Sequence, residues 1–356
     1  MAAPSARMCG LDALRGIAVF LMIEQHMGVW LWAGVPRGKA LAGAWPLVAF
    51  NALGGGAAPM FITLAGVGTT LLARSRAHGA DAVLLRRGLV LLGFGYLLTA
   101  MTPSWFSWGS WFVLHLMGFA MATAPLWRRL GDRGLLVAAA AVAVAAIAVQ
   151  SAIDTPLQLS NEMMRDSSRP GGALRLALAE SQFPVLPWLA PFLVGMVAGR
   201  WIAARRFGAI ATTGAVCLGL GAAGLGIGMT WTQPLLLRRA FGVHLGFFPA
   251  SITIVALLLG VVLLVIALVA WRDDRKPLSD THPLVVLGRA SLTLLLVHVP
   301  LFREATRPLG YWQALEAGTV LVIIFAFLLL AVIAARLWQG VGYRGGAEWL
   351  LRKLGG

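Results

Sequence analysis

Charge is scarce in this sequence. Only 12% of its 356 residues are Asp, Glu, Lys or Arg, about half the share of a soluble globular protein. A soluble globular chain is excluded on that ground. A disordered chain is excluded by a hydrophobic content of 59%, because disorder needs low hydrophobicity. Cysteine is nearly missing. Cys9 and Cys217 stand far apart without metal or redox spacing, so neither a disulfide framework nor a cysteine zinc site is expected. Acidic residues are few as well, 14 against 29 basic ones, for a net charge of +15. On a soluble chain that excess would point to nucleic acid. No RNA- or DNA-binding motif is present here, and no nucleic-acid partner is expected. No cleavable signal peptide is expected either, since the first apolar segment carries Asp12, Arg15, Glu24 and His26 and no small-residue cleavage site follows it. The sequence also lacks a GxSxG elbow, a Walker loop and a Rossmann fingerprint in a fitting strand–helix context. Without an H-x-E or HExxH pattern, no metal site is expected.

What the chain has is apolar runs of bilayer length, and its mean hydropathy is +0.81. A bilayer core takes about 20 apolar residues of helix. Ten such segments can be read, roughly 12–34, 46–73, 88–102, 109–126, 134–153, 184–203, 208–230, 250–271, 283–302 and 313–336. The fold class expected is an all-α polytopic membrane protein of about ten transmembrane helices. Residues 1–356 form a single transmembrane domain in this reading, with its motifs between 11 and 302. No internal repeat is evident.

The basic residues sort by side. Nineteen of them, including Arg74, Arg76, Arg86, Arg87, Arg128, Arg129, Arg133, Arg200, Arg205, Arg206, Arg272 and Arg275, fall on one set of segment ends. Nine, namely Arg37, Lys39, Arg165, Arg169, Arg175, Arg238, Arg239, Arg303 and Arg307, fall on the alternate set. Arg289 lies inside a span. The positive-inside rule then places both termini in the cytoplasm. The longest outer loop is about 154–183. His78 and His282 are read as solvated in cytoplasmic loops, and His244 as solvated in an outer one.

Ionisable groups inside a span are costly, and each one invites an explanation. Arg15 and His26 are eleven residues apart, about 20° from eclipse on a helix, with a rise of about 16 Å between them. They therefore share a face. Asp12 is placed to pair with Arg15 at i,i+3. Glu24 lies about 200° from His26 and is read as a partner for a basic side chain. His26 and His298 fall about 21 and 22 Å from the cytoplasmic starts of their helices, and His115 about 9 Å below the outer surface. In a core about 30 Å thick these are similar depths. A shared polar cavity suits three imidazoles at one level, and neutral imidazole suits proton transfer there. A buried histidine can equally be an interhelical hydrogen-bonding group. Gly54, Gly55 and Gly56, ahead of Pro59, mark a kink or a close helix contact.

Several runs carry a resemblance. Leu11-Asp12-Ala13-Leu14-Arg15-Gly16 followed by His26 resembles the Arg-x10-His signature of membrane acyltransferases. Ala57-Ala58-Pro59-Met60-Phe61 with Leu64-Ala65-Gly66-Val67 resembles the second-helix motif of that superfamily. Val113-Leu114-His115-Leu116-Met117-Gly118 is similar to a VLHxIG element. Phe183-Pro184-Val185-Leu186-Pro187-Trp188 with Gly195 and Gly199 is similar to an FPLLPW…G…G element. Leu287-Gly288-Arg289-Ala290-Ser291-Leu292-Thr293 with His298 and Pro300 is similar to LGRxSLxxYLxHxP. Together they resemble bacterial relatives of the catalytic domain of heparan-α-glucosaminide N-acetyltransferase. Leu295, Val299 and Gly55 depart from that pattern, standing where Tyr, Gln and Asp are usual. The stretches 127–180 and 205–280, and everything after 303, carry no motif of it.

The resemblance implies acyl transfer across a bacterial plasma membrane, from acetyl-CoA (acyl-CoA) on the cytoplasmic side to a sugar hydroxyl or amine on the other. Acetyl-CoA would be a co-substrate, with no cofactor bound tightly. His26 would be the general base, Arg15 would bind or orient the CoA end, and His298 and His115 would line the tunnel. Arg86 with Arg87, and Arg205 with Arg206, are candidate contacts for CoA phosphates. Asn51, Thr63 and Ser291 are candidate oxyanion donors by type. The expected partners are membrane lipids, acyl-CoA and a glycan or small-molecule acceptor, with a homodimer left open. The alternative reading is a proton-coupled transporter or flippase for a small or lipid-linked solute.

Overall fold

A computed structural model of the chain describes residues 8–34, 44–76, 78–230, 234–242 and 247–356. Arg7, Arg37, Lys39 and His244 lie outside the described residues. Within them the regular structure is helical throughout. In chain order the helices are α1 (Cys9–Leu31), α2 (Trp45–Gly54), α3 (Ala57–Arg74), α4 (Ala80–Met101), α5 (Val113–Trp127), α6 (Asp132–Ala152), α7 (Gly172–Arg175), α8 (Val185–Ala203), α9 (Phe207–Thr230), α10 (Leu235–Phe241), α11 (Ile252–Arg275), α12 (Pro283–Arg289), α13 (Ser291–Val299), α14 (Ala317–Gly340) and α15 (Ala347–Gly355).

Seven helices among the described residues are long and apolar enough to cross a membrane, and an eighth is added if α12 and the helix after it, bent by 73°, count as one span. Each of the ten expected segments falls on a helix or a broken pair of helices. Two segments miss the apolar-length standard for physical reasons. Helix α1 is long enough at 23 residues, about 34 Å, but Asp12, Arg15, Glu24 and His26 dilute its apolar character. Helix α5 has only 15 residues, about 22 Å. The surface of the spanning helices is itself apolar. Leu337 of α14 is 74% exposed and Val322 is 69% exposed, which water would penalise and lipid would not.

The chain divides into two compact units. The first comprises 1–60 and 265–350; the second comprises 61–264 and 351–356. The divisions fall within α3, α11 and α15.

In the first unit α1 crosses α12 at glycine. A Cβ on Gly16 would overlap the Leu284 carbonyl, and one on Gly288 would overlap the Asp12 carbonyl. Only glycine lets the two backbones approach that closely. Cys9, Ala13 and Val285 fill the adjoining apolar cluster. The N-terminus of α13 is capped by Glu348 of α15, whose Oε1 accepts from the Leu292 and Thr293 N–H groups at 2.6 and 3.0 Å. The carboxylate answers orphan helix-end donors and sits at the positive end of the helix dipole. The Gly54–Gly56 stretch does both things expected of it. It separates α2 from α3, and a side chain at Gly54 would collide with Gln25 of α1.

In the second unit α8 is the central helix, with nearly all of its side chains from Pro187 to Ile202 buried. It meets the α3 segment from Phe61 at glycines again, Gly195 against the Thr63 carbonyl and Gly66 against the Phe192 carbonyl. The stretch between α6 and α8 is ordered by one buried carboxylate. Glu180 accepts from Arg169 Nη1 at 2.7 Å and from Arg175 Nε and Nη2 at 2.7 and 2.9 Å. Arg175 also donates to the Ile153 carbonyl. This long segment is a tied connector.

Candidate functional site

Helix α1 carries His26 seventeen residues beyond its start, and α13 carries His298 at its last turn. Both belong to the first unit. The packing of α1 against α12 and α13 brings the two imidazoles together, with His26 Nδ1 3.0 Å from His298 Nε2. The rings lie within 14° of one plane with centroids 5.3 Å apart. That is the geometry of rings joined edge to edge by an N–H···N bond. His298 is fully buried, and its Nδ1 is 2.8 Å from the Leu294 carbonyl oxygen.

A carbonyl can only accept, so His298 Nδ1 carries the proton and its Nε2 is an acceptor in the neutral ring. His26 Nδ1 must then donate to it, which leaves the lone pair of neutral His26 on Nε2. The network thus assigns both tautomers from one backbone carbonyl.

Aromatic rings and a guanidinium surround the pair. Trp30, one turn beyond His26 on α1, stacks on it with centroids 4.7 Å apart. After Val299 the helix widens into a π-helical turn, Pro300–Ala305, at a residue that lacks an N–H for the α-helical ladder. That turn carries Arg303, which is buried. Its guanidinium lies 5.6 Å from the Trp30 ring centroid and 5.0 Å from that of Trp312. The segment holding Trp312 is pinned to the end of α1, since Gln313 N–H donates to the Trp30 carbonyl at 2.8 Å and Leu315 N–H to the Leu31 carbonyl at 2.9 Å. Read from the sequence, Arg303 is an outer topology charge. Nothing in its spacing relates it to Trp30 or Trp312, and those contacts are made only in the fold.

Arg15 sits on α1 eleven residues before His26. Its Nη1 donates to Asp12 Oδ1 at 2.8 Å, the ion pair expected from the spacing. The structure adds Arg289 of α12, whose Nε donates to Asp12 Oδ2 at 3.2 Å. Asp12 is therefore a buried carboxylate gripped by two arginines, and it locks the crossing at Gly16 and Gly288. Glu24 is fully buried, and among the described residues neither of its carboxyl oxygens has a hydrogen-bond partner. Among the described residues no ion pair reaches it, so the basic partner expected from the sequence is not found.

His115 belongs to the second unit. It stands at the third position of α5, and the Phe112 N–H donates to its Nδ1 at 3.5 Å. Its ring packs against Tyr96, Trp111 and Phe112 with centroids 4.7, 5.4 and 4.5 Å away. Its Nε2 faces Gly95 and is buried without a hydrogen-bond partner among the described residues. This histidine closes the start of a helix.

The arginines expected to meet CoA phosphates also lie in the second unit. Arg87 Nη2 donates to the Gly356 carbonyl at 3.1 Å, as does Arg76 at 2.9 Å. Arg86 and Arg205 are exposed, and Arg206 lies 5.7 Å over the Trp201 ring. A cavity of about 190 Å³ in this unit is lined instead by Arg74, Arg128 and Arg200, with Thr69, Thr70 and Met196. Arg128 pairs with Asp81 at 2.5 Å and Arg200 with Asp132 at 3.0 Å. Of the oxyanion candidates, Asn51 is exposed and accepts from Gln25. Thr63 is buried in the second unit, and Ser291 opens α13. His282 caps α12, accepting from Leu284 N–H at 3.3 Å, whereas His78 is exposed as expected. Among the described residues no cluster of three His, Cys, Asp or Glu side chains could hold a metal ion.

Comparison with known proteins gives two family matches. The family described as heparan-alpha-glucosaminide N-acetyltransferase, catalytic, matches residues 7–227. A family described only as a protein of unknown function (DUF418) matches residues 202–355. His26 lies in the first match and His298 in the second. No curated protein matches the chain.

Proposed function

Since the chain belongs to the heparan-alpha-glucosaminide N-acetyltransferase catalytic family, as its match over residues 7–227 shows, we propose that it is a multi-pass transmembrane acetyltransferase whose general base is His26. In this proposal ten helices span a bacterial plasma membrane and both termini are cytoplasmic. The donor is cytoplasmic acetyl-CoA and the acceptor is a sugar hydroxyl or amine on the opposite side. The observation that carries the reading is the 3.0 Å bond between His26 Nδ1 and His298 Nε2, which presents Nε2 of His26 as the basic nitrogen.

Nε2 takes the proton of the acceptor O–H or N–H as its heteroatom attacks the thioester carbonyl carbon. The positive charge gained by His26 is stabilised by its bond to His298, and that ring is held in turn by the Leu294 carbonyl. When the tetrahedral intermediate collapses, the C–S bond breaks and the sulfur leaves with the proton returned by Nε2. Arg303, buried beside Trp30, is the cation best placed to stabilise the developing oxyanion. Trp30 offers a flat apolar face to the acceptor. Arg15, held by Asp12, orients the donor on the cytoplasmic side.

A hydrogen-bonded histidine pair is also what a proton-coupled transporter would use, so the test separates the two. Purified protein in liposomes is supplied with acetyl-CoA and candidate sugar and amine acceptors, and free CoA is measured. Acceptor-dependent CoA release that His26→Ala abolishes is the expected result. Solute flux without CoA release would replace the enzyme by the transporter.

A further inference from the structure

The second unit has a second arginine-lined cavity, and among the described residues three buried donors of its lining are unpaired. It is walled by Gln150, Leu157, Arg238, Arg239, Pro249 and Ser251. Gln150 lies near the end of α6, about 27 Å along that helix from Asp132, the partner of Arg200. The two cavities therefore sit at opposite ends of α6.

Arg239 is 6% exposed and Gln150 is 3% exposed. Among the described residues, Arg239 Nε, Arg239 Nη1 and Gln150 Nε2 are all buried without a hydrogen-bond partner. Leaving a guanidinium and an amide unsatisfied in this way is costly, more so for the charged group. The nearby acids do not resolve it. Asp154 is exposed, and Glu180 is taken up by Arg169 and Arg175. Burial holds the Arg239 guanidinium below its ordinary ionisation range, with Asp154 and Glu180 acting against that. The position of α10 is not accidental, since Thr253 Oγ1 donates to the Ala240 carbonyl at 3.0 Å and anchors the turn that carries Arg239.

Every unpaired group here is a donor, and an occupant must bring acceptors. The cavity of about 20 Å³ has room for one water-sized atom at its base. Exposed Arg238 stands at its rim. An oxygen of a larger head group fits that base, with the remaining oxygens reaching Arg238. We propose that this cavity binds an oxyanion, a carboxylate, sulfate or phosphoryl group, gripped by Arg239 and Gln150. It is a site separate from the histidine pair and does not depend on acyl transfer.

The test uses the full chain in phosphatidylcholine nanodiscs and reads the thermal unfolding midpoint in sodium sulfate or inorganic phosphate against sodium chloride at matched ionic strength. The wild-type midpoint is expected to rise by about 3 °C at saturating oxyanion. Arg239→Gln is expected to lose the rise, and Gln150→Leu most of it. Should Arg239→Gln not accumulate, Gln150→Leu carries the same comparison. Replacing about a third of the lipid by phosphatidylglycerol separates the sources. A lipid phosphate in the site raises the midpoint and cancels the response to sulfate, while a soluble ligand leaves that response intact. A wild-type midpoint no higher in sulfate or phosphate than in chloride, with no rise from phosphatidylglycerol, overturns the proposal. So does a variant that responds in full.

Discussion

His298 and His115 are both fully buried on apolar helices, yet they do opposite things with their second nitrogen. In the first unit His298 uses both nitrogens, one on the Leu294 carbonyl and one on His26. In the second unit His115 uses one nitrogen on the Phe112 N–H and leaves the other without a partner against Gly95. A ring bonded at both ends fixes a tautomer and transmits it to the next ring. A ring bonded only to its own helix start does local work. Burial of a histidine, then, does not reveal its task, but the path of its hydrogen bonds does. The carboxylates show the reverse case. Asp12 with Arg15 and Arg289, and Glu180 with Arg169 and Arg175, are the same device, one in each unit.

Five substitutions test this contrast. His26→Ala removes the proposed base and should lower acceptor-dependent CoA release by about 100- to 10,000-fold, the range general-base catalysis supplies. Asp12→Ala and Glu180→Ala each leave two arginines without their buried partner. Each should cost about 3 kcal/mol or more of unfolding stability in denaturant titration. Unequal losses would show that the two carboxylates are not equivalent. His298→Ala keeps the base but frees its tautomer, and a loss of about 10- to 100-fold in kcat is expected, as for other orienting partners. A His298→Ala enzyme as fast as wild type would break the relay reading. His115→Ala should cost about 1 kcal/mol of stability, the scale of a lost helix cap, with kcat unchanged. If His115→Ala lowers kcat as far as His298→Ala does, the contrast between the two rings collapses.

Much of this was legible in advance. The helical class, the run of apolar segments, the Asp12–Arg15 pair and the break at Gly54–Gly56 all follow from short-range spacing, which a helix converts directly into contact. The pairing of His26 with His298 was legible only as a similarity of depth, since 272 residues separate them. Arg303 escaped because its contacts with Trp30 and Trp312 are made only in the fold and leave no spacing signal in the sequence. Arg239 escaped because an arginine in an outer connection reads as a topology charge, and only the packing of α6 and α10 buries it. His115 carried the same motif signal as His298, and nothing in the spacing shows which hydrogen bonds each ring makes.

Composition and periodicity determined that this chain is a bundle of apolar helices and which of them carry misplaced polar groups, because both follow from the cost of polar atoms in lipid and from the pitch of a helix. Which of those groups face one another was decided by tertiary structure. Glycine-to-carbonyl crossings such as Gly16 on Leu284 set the spacing and rotation of neighbouring helices. A rotation of one residue, about 100°, would have turned His26 away from His298.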